Sequence, residues 1–122
     1  VSITEALHSH RISMLPDQAS GGGVLTLPTP IVGMVYRFTY NGAAADAHNT
    51  TIVPPTGVDY NGSLAVFDSD NNTSVVAAAA DGSADTITVK VPENFDILLT
   101  ATSTTKYHIS GYITTGTPPT IA

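Results

Sequence analysis

Four histidines and ten acids are the residues with the most obvious reactive capacity in this chain. His8 and His10 form an H-x-H pair. On a strand, side chains two apart share a face, so the pair would offer two imidazoles to one zinc ion. A closed zinc site takes four ligands. Asp46 and His48 are further donors, but no spacing fixes either of them beside the pair. The competing reading is two ordinary polar residues near the start of the chain. The run "DSDNN" sets Asp68, Asp70 and Asn72 at the first three ligand positions of a calcium loop. Such a loop requires glycine at its sixth position and glutamate at its twelfth. Those positions hold Thr73 and Ala79. An Asx-rich hairpin turn accounts for the same run, because Asp and Asn bond their own backbone, and a weak surface cation site is the most it offers.

Other chemistries find less support. Serine, histidine and aspartate are all present, yet no G-x-S-x-G elbow occurs. "SGGGVL" lacks the Lys-Ser/Thr of a phosphate loop and opens no helical pattern. No two carboxylates share an apolar setting that would raise one of them for acid catalysis. With no cysteine, thiolate metal sites, disulfides and a cysteine nucleophile are excluded. The expectation is a protein that is not an enzyme and needs no cofactor.

Composition narrows the partners. The chain has 122 residues, enough for one domain with a real core. Only 11% of residues are charged, against about 25% in an ordinary soluble domain. Thr, Ser, Asn, Gly and Ala give a polar surface with little charge. The net charge is −6, and the four bases Arg11, Arg37, Lys90 and Lys106 are scattered. Nucleic-acid binding needs clustered cations that displace counterions from phosphates, so no nucleic acid is expected. Anionic membranes are disfavoured for the same reason. No apolar run reaches the ~18–20 residues of a membrane-spanning helix, and "VSITEALHSH" lacks the basic and apolar regions of a signal peptide.

Whatever these residues do, strands must position them. "MVYRFTY" alternates, with Tyr36, Phe38 and Tyr40 on one face and Val35, Arg37 and Thr39 on the other. A period of two marks a half-buried strand. "DTITVKV" repeats the pattern with Ile87, Val89 and Val91. Further strands are expected at about 10–15, at "VLTLP", "TTIV", "SLAVF", "TSVV", "FDILLTAT" and "KYHISGYI". Ser2 and Glu5 have capping-box spacing, which predicts a helical turn at about 3–7. Asn41-Gly42, Asn61-Gly62 and Asp81-Gly82 are hairpin signals, since both residues of each pair tolerate positive φ. The reading is all-β: an antiparallel β-sandwich or jelly-roll-like small barrel of about eight or nine short strands. Residues 1–23 are expected as an N-terminal arm with the first strand, 24–113 as the sandwich, and 114–122 as a mobile or externally docked tail.

Surface recognition is the remaining possibility. Tyr36, Phe38, Tyr40, Tyr60, Tyr107 and Tyr112 are available to stack on a sugar, but tryptophan is absent and the first three alternate as core residues do. Four N-x-S/T sequons, at Asn49, Asn61, Asn71 and Asn72, are expected by chance in a chain this rich in Asn and Thr.

"GGGVLTLPTPIVGMVYRFTYNG", followed by 51–57, Asn61-Gly62, 63–67 and "YHISGY", resembles a pattern of tailed-phage structural proteins. Over about residues 10–113 the chain is similar to the β-sandwich decoration, or cement, proteins of phage capsids. Many such modules carry Trp in the last strand where Tyr107 stands here. The resemblance implies a virion protein on the outer capsid surface, a homotrimer that binds the major capsid protein and stabilises the shell. It also makes the two ends the docking segments, with Ile3, Leu7, His8, His10, Arg11 and Ile121 as capsid or trimer contacts. An arm of that kind would be removable without loss of the fold. The alternative it implies is a tail- or head-fibre domain that binds a host-surface glycan.

Overall fold

Two-residue alternation of apolar side chains builds two sheets that face each other across one core. The computed structural model describes residues 1–18, 21–42, 47–78 and 86–122. A one-turn helix, α1 (Glu5–His8), precedes ten strands: β1 (Ile12–Leu15), β2 (Gly23–Thr26), β3 (Val35–Tyr40), β4 (Thr50–Val53), β5 (Asp59–Asp68), β6 (Thr73–Ala78), β7 (Ile87–Val89), β8 (Pro92–Ser103), β9 (Lys106–Thr115) and β10 (Thr120–Ile121). One sheet has the order β1-β3-β8-β9-β5-β6 and the other β10-β7-β4-β2. The molecule is therefore a small β-sandwich, as its alternation predicts. Both sheets are mixed: β1 with β3, β2 with β4, and β5 with β9 run parallel.

The core comes from the inward faces. Phe38, Phe95, Ile97, Leu99, Tyr107 and Ile109 of the large sheet meet Leu25, Ile52, Ile87 and Val89 of the small one, all buried. Tyr36 packs edge-on to Tyr107, with ring centroids 6.1 Å apart, and Tyr40 stacks on Phe95 at 5.5 Å. Buried phenols need acceptors. Tyr60 donates to the Ile52 carbonyl at 3.0 Å and Tyr107 to the Pro28 carbonyl at 2.9 Å. Burial, and to a lesser degree the neighbouring Tyr36, pushes the Tyr107 phenol well above the ordinary tyrosine range.

Local turn chemistry is used differently from the sequence expectation at three places. Asn61 and Gly62 lie inside β5 and form no turn. Gly62 has φ +95 and abuts Ile109 of β9, so its positive φ serves a kink within the strand. Asn41-Gly42 follows β3, but β4 belongs to the other sheet, so no hairpin forms. The Asn41 N–H instead donates to the Leu15 carbonyl at 2.9 Å and extends the β1–β3 ladder. The helical turn begins later than expected: Thr4 is the N-cap, and no side chain caps it. Asp81-Gly82 lies outside the described residues.

Both chain ends are also built into the sandwich. Residues 1–3 run along the open edge of β2: Ile3 N–H donates to the Thr26 carbonyl at 2.8 Å and Thr26 N–H to the Val1 carbonyl at 2.9 Å. Ile3 is buried in the core. The chain then crosses through α1 to β1, the edge of the opposite sheet. The N-terminal segment is thus a stitch across both sheets. At the other end, β10 pairs antiparallel with β7, Thr120 opposite Thr88 and Ile121 opposite Ile87.

Candidate functional site

The sequence-predicted metal donors do not converge. His8 ends α1, and its Nδ1 accepts a hydrogen bond from the Thr4 N–H at 3.0 Å. His10 lies between α1 and β1 with φ +55, so the H-x-H pair is not on one strand. Asp46 is outside the described residues. Among the described residues, no group of three or more His, Cys, Asp or Glu is placed to hold a metal.

The Asp68 run forms the turn between β5 and β6. Asp68 Oδ1 accepts from the N–H groups of Asp70 at 3.0 Å and Asn71 at 3.1 Å, and Oδ2 from Asn71 Nδ2 at 2.8 Å. The Asn71 side chain, reinforced by the two backbone donors against partial desolvation, holds the Asp68 carboxyl below the usual carboxylate range. Asn72 has φ +50, a conformation that Asn tolerates better than most residues. Both oxygens of Asp68 are engaged in shaping the hairpin.

Of the contact residues implied by the resemblance, Leu7, His10 and Arg11 are exposed and His8 is partly so. Ile3 is buried, and Ile121 packs partly against the core, since both belong to the sheet edges described above. Ile3 therefore offers no free contact surface, and Ile121 offers only part of its side chain.

The outer face of the large sheet carries charged, polar and aromatic groups side by side. Strand register gives the lateral row Met14–Thr39–Asp96–Tyr112–Ala65–Val76. Beside it run Ile12–Arg37–Leu98–Ser110 and Asn94–Thr114–Phe67–Ser74. Arg37 spans to Asp96 with both arms of its guanidinium, Nε to Oδ1 at 2.8 Å and Nη2 to Oδ2 at 2.5 Å. The hydrogen bond to Arg37 and the Arg37 charge, opposed by partial burial, hold Asp96 below its ordinary range. Asp96 in turn raises Arg37. Phe67 and Tyr112 meet edge to face, with centroids 6.3 Å apart, and both are exposed. The other six aromatics, Tyr36, Phe38, Tyr40, Tyr60, Phe95 and Tyr107, are buried and closed to any ligand.

Comparison with protein-family models, curated proteins and solved structures finds no match.

Sequence reasoning placed Arg37 on the outward side of its strand and included Tyr112 among the available aromatics. It missed Phe67 and Asp96. The signal for Phe67 was present: Leu64 and Val66 alternate inward, so Ala65 and Phe67 must face out.

The large sheet is also bounded by two apolar edges. In β1, Ile12 and Met14 are 55% and 62% exposed, and in β6, Val75 and Val76 are 46% and 69% exposed. These strands lie at opposite ends of one sheet. Residues 73–78 contain no charge and no proline, the devices that usually blunt an open strand edge.

Proposed function

We propose that the chain is a virion structural protein, a capsid decoration module that acts as a homotrimer on the outer surface of a shell. The observation that carries this reading is the pair of apolar edges, β1 and β6, at opposite ends of the large sheet. Two different patches on one protomer suit a head-to-tail contact, and repetition of such a contact closes a ring when the rotation permits. β1 of one copy then meets β6 of the next. Three copies is the number that the phage-like sequence pattern adds. Leu7, exposed on the N-terminal crossing, remains outside that joint and available to a major capsid protein. Symmetry multiplies weak contacts of this kind into stable attachment.

Native mass spectrometry at micromolar concentration tests the assembly: a trimer is expected, and a monomer throughout the range rejects it. Val76→Glu should yield folded monomers. Rebinding to purified capsids tests the role, and a trimer that attaches to no shell would reject the capsid reading while leaving the ring.

A second reading, a fibre-type domain that binds a host-surface glycan, is favoured by one observation. Phe67 and Tyr112 stand exposed together on the outer face of the large sheet, where tyrosine and phenylalanine rings stack on apolar faces of a ligand.

A further inference from the structure

We infer that the outer face of the large sheet carries a binding groove for an acidic oligosaccharide, with Tyr112 as its stacking platform and Arg11 as its carboxylate anchor. This deepens the glycan reading and rests on it for the general ligand class.

Two shallow grooves of about 300 Å³ each cross this face. One is lined by His10, Arg11, Ile12, Val35, Arg37 and Leu98. The other is lined by Arg37, Asp96, Leu98, Ser110, Gly111 and Tyr112. Arg37 and Leu98 belong to both, so the grooves form one track that runs across the strands. From β1 to β9 the track spans three strand spacings, about 14 Å at about 4.8 Å each, enough for a short oligosaccharide and too open for a small buried ligand.

Its chemistry changes along its length. At one end the Tyr112 ring, flanked edge-on by Phe67, offers a negative π-face to the polarised C–H groups of a sugar ring. In the middle, the two-armed contact with Asp96 fixes the Arg37 guanidinium and leaves its remaining N–H groups for hydroxyl oxygens, beside the Ser110 hydroxyl. A rigid polar pair of this kind reads hydroxyl positions at little entropic cost. At the far end, Arg11 has no carboxylate partner among the described residues, and the His10 ring lines the same groove. The chain holds four bases against ten acids, yet two of the four line this track. Arg37 is neutralised by Asp96, so Arg11 supplies the net positive charge, and a sugar carboxylate is the ligand group that complements it.

The test uses the full chain in an amide NMR titration, with a hexuronate trisaccharide as probe and its carboxyl-reduced, neutral counterpart as control. The acidic sugar is expected to shift the amides of Arg11, Arg37 and Tyr112, and the neutral one to bind about tenfold more weakly, the factor one charge-assisted hydrogen bond supplies. Arg11→Gln should lower the acidic sugar to the neutral level and leave the neutral sugar unchanged. Tyr112→Ala should weaken both sugars, and Tyr112→Phe, which keeps the ring, should restore most of the binding. Equal affinity for the two sugars overturns the acidic assignment and leaves the glycan reading standing. Failure of both sugars to bind overturns both. A glutamate-rich peptide that binds through Arg11 while neither sugar does overturns both in favour of a peptide track.

Discussion

Arg37 and Asp96 are diagonal neighbours on adjacent strands, and their side chains meet arm to arm at 2.8 and 2.5 Å across the β3–β8 ladder. The pair is partly exposed, at 45% and 24% of the side chains, so its net contribution to stability is small. Its larger effect is geometric: it fixes two long side chains in the middle of the outer face.

Acid sensitivity follows from this pair and from Asp68. Both carboxyls are held below their ordinary range in the folded chain, whereas the unfolded value is about 3.9. A group depressed on folding contributes stability above its unfolded value and loses it as pH falls through the folded value. Thermal melts should be flat in this contribution from neutral pH to about 5 and fall below about 4. Asp96→Asn should flatten part of that slope. An unchanged slope in this variant would show that Asp96 is not held low.

Phe38 is fully buried at the centre of β3. Truncation to alanine should cost about 3–5 kcal/mol, measured by urea denaturation. A loss under about 1 kcal/mol would contradict the strand's register, since a solvent-facing side chain at this site is the way to so small an effect.

Gly111 has φ +120, and a Cβ there would run into the Asp96 carbonyl oxygen. Gly111→Ala should therefore destabilise by about 1–3 kcal/mol from backbone conformation alone. It should also move the Asp96 backbone, visible as amide shifts on β8. A neutral substitution with unmoved shifts would disprove the close approach.

The N-terminal crossing yields the clearest departure from the sequence expectation of a removable arm. Ile3→Ala should cost about 2–5 kcal/mol, because the Ile3 side chain lies in the core. Removal of residues 1–9 should lower the melting temperature further than that single change. A truncated chain with the full melting temperature would restore the arm.

Much of the sandwich was legible because burial obeys a short local period. Tyr36, Phe38 and Tyr40 follow it, as do Ile87 and Val89, and all five face inward. Asn61-Gly62 was misread because a positive φ is a local property, while its use as turn or in-strand kink depends on the partner strand β9, far along the chain. The last strand, β10, escaped for a different reason. A two-residue strand such as β10 has no period to detect, and its pairing is set by Thr88 and Ile87. The candidate groove was legible only in pieces: Arg37 faces outward by alternation, but its neighbours come from the lateral strand order. Phe67 reaches Tyr112 through the parallel β5–β9 pairing, which no local pattern encodes.

The place of β9 in the sheet fixes the order in which the molecule can be made. β9 follows every other strand of the large sheet in the sequence, yet it lies between β8 and β5 and joins the two halves of that sheet. While the chain is being synthesised, β5 and β6 can form only an isolated hairpin, marginal in water, and β3 with β8 can gain no central neighbour until residues 106–115 have left the ribosome. The core therefore closes only once β9 has emerged, in the slow regime of folds dominated by distant pairings. Chains cut short before β9 should accumulate as collapsed, aggregation-prone species and not as partial domains.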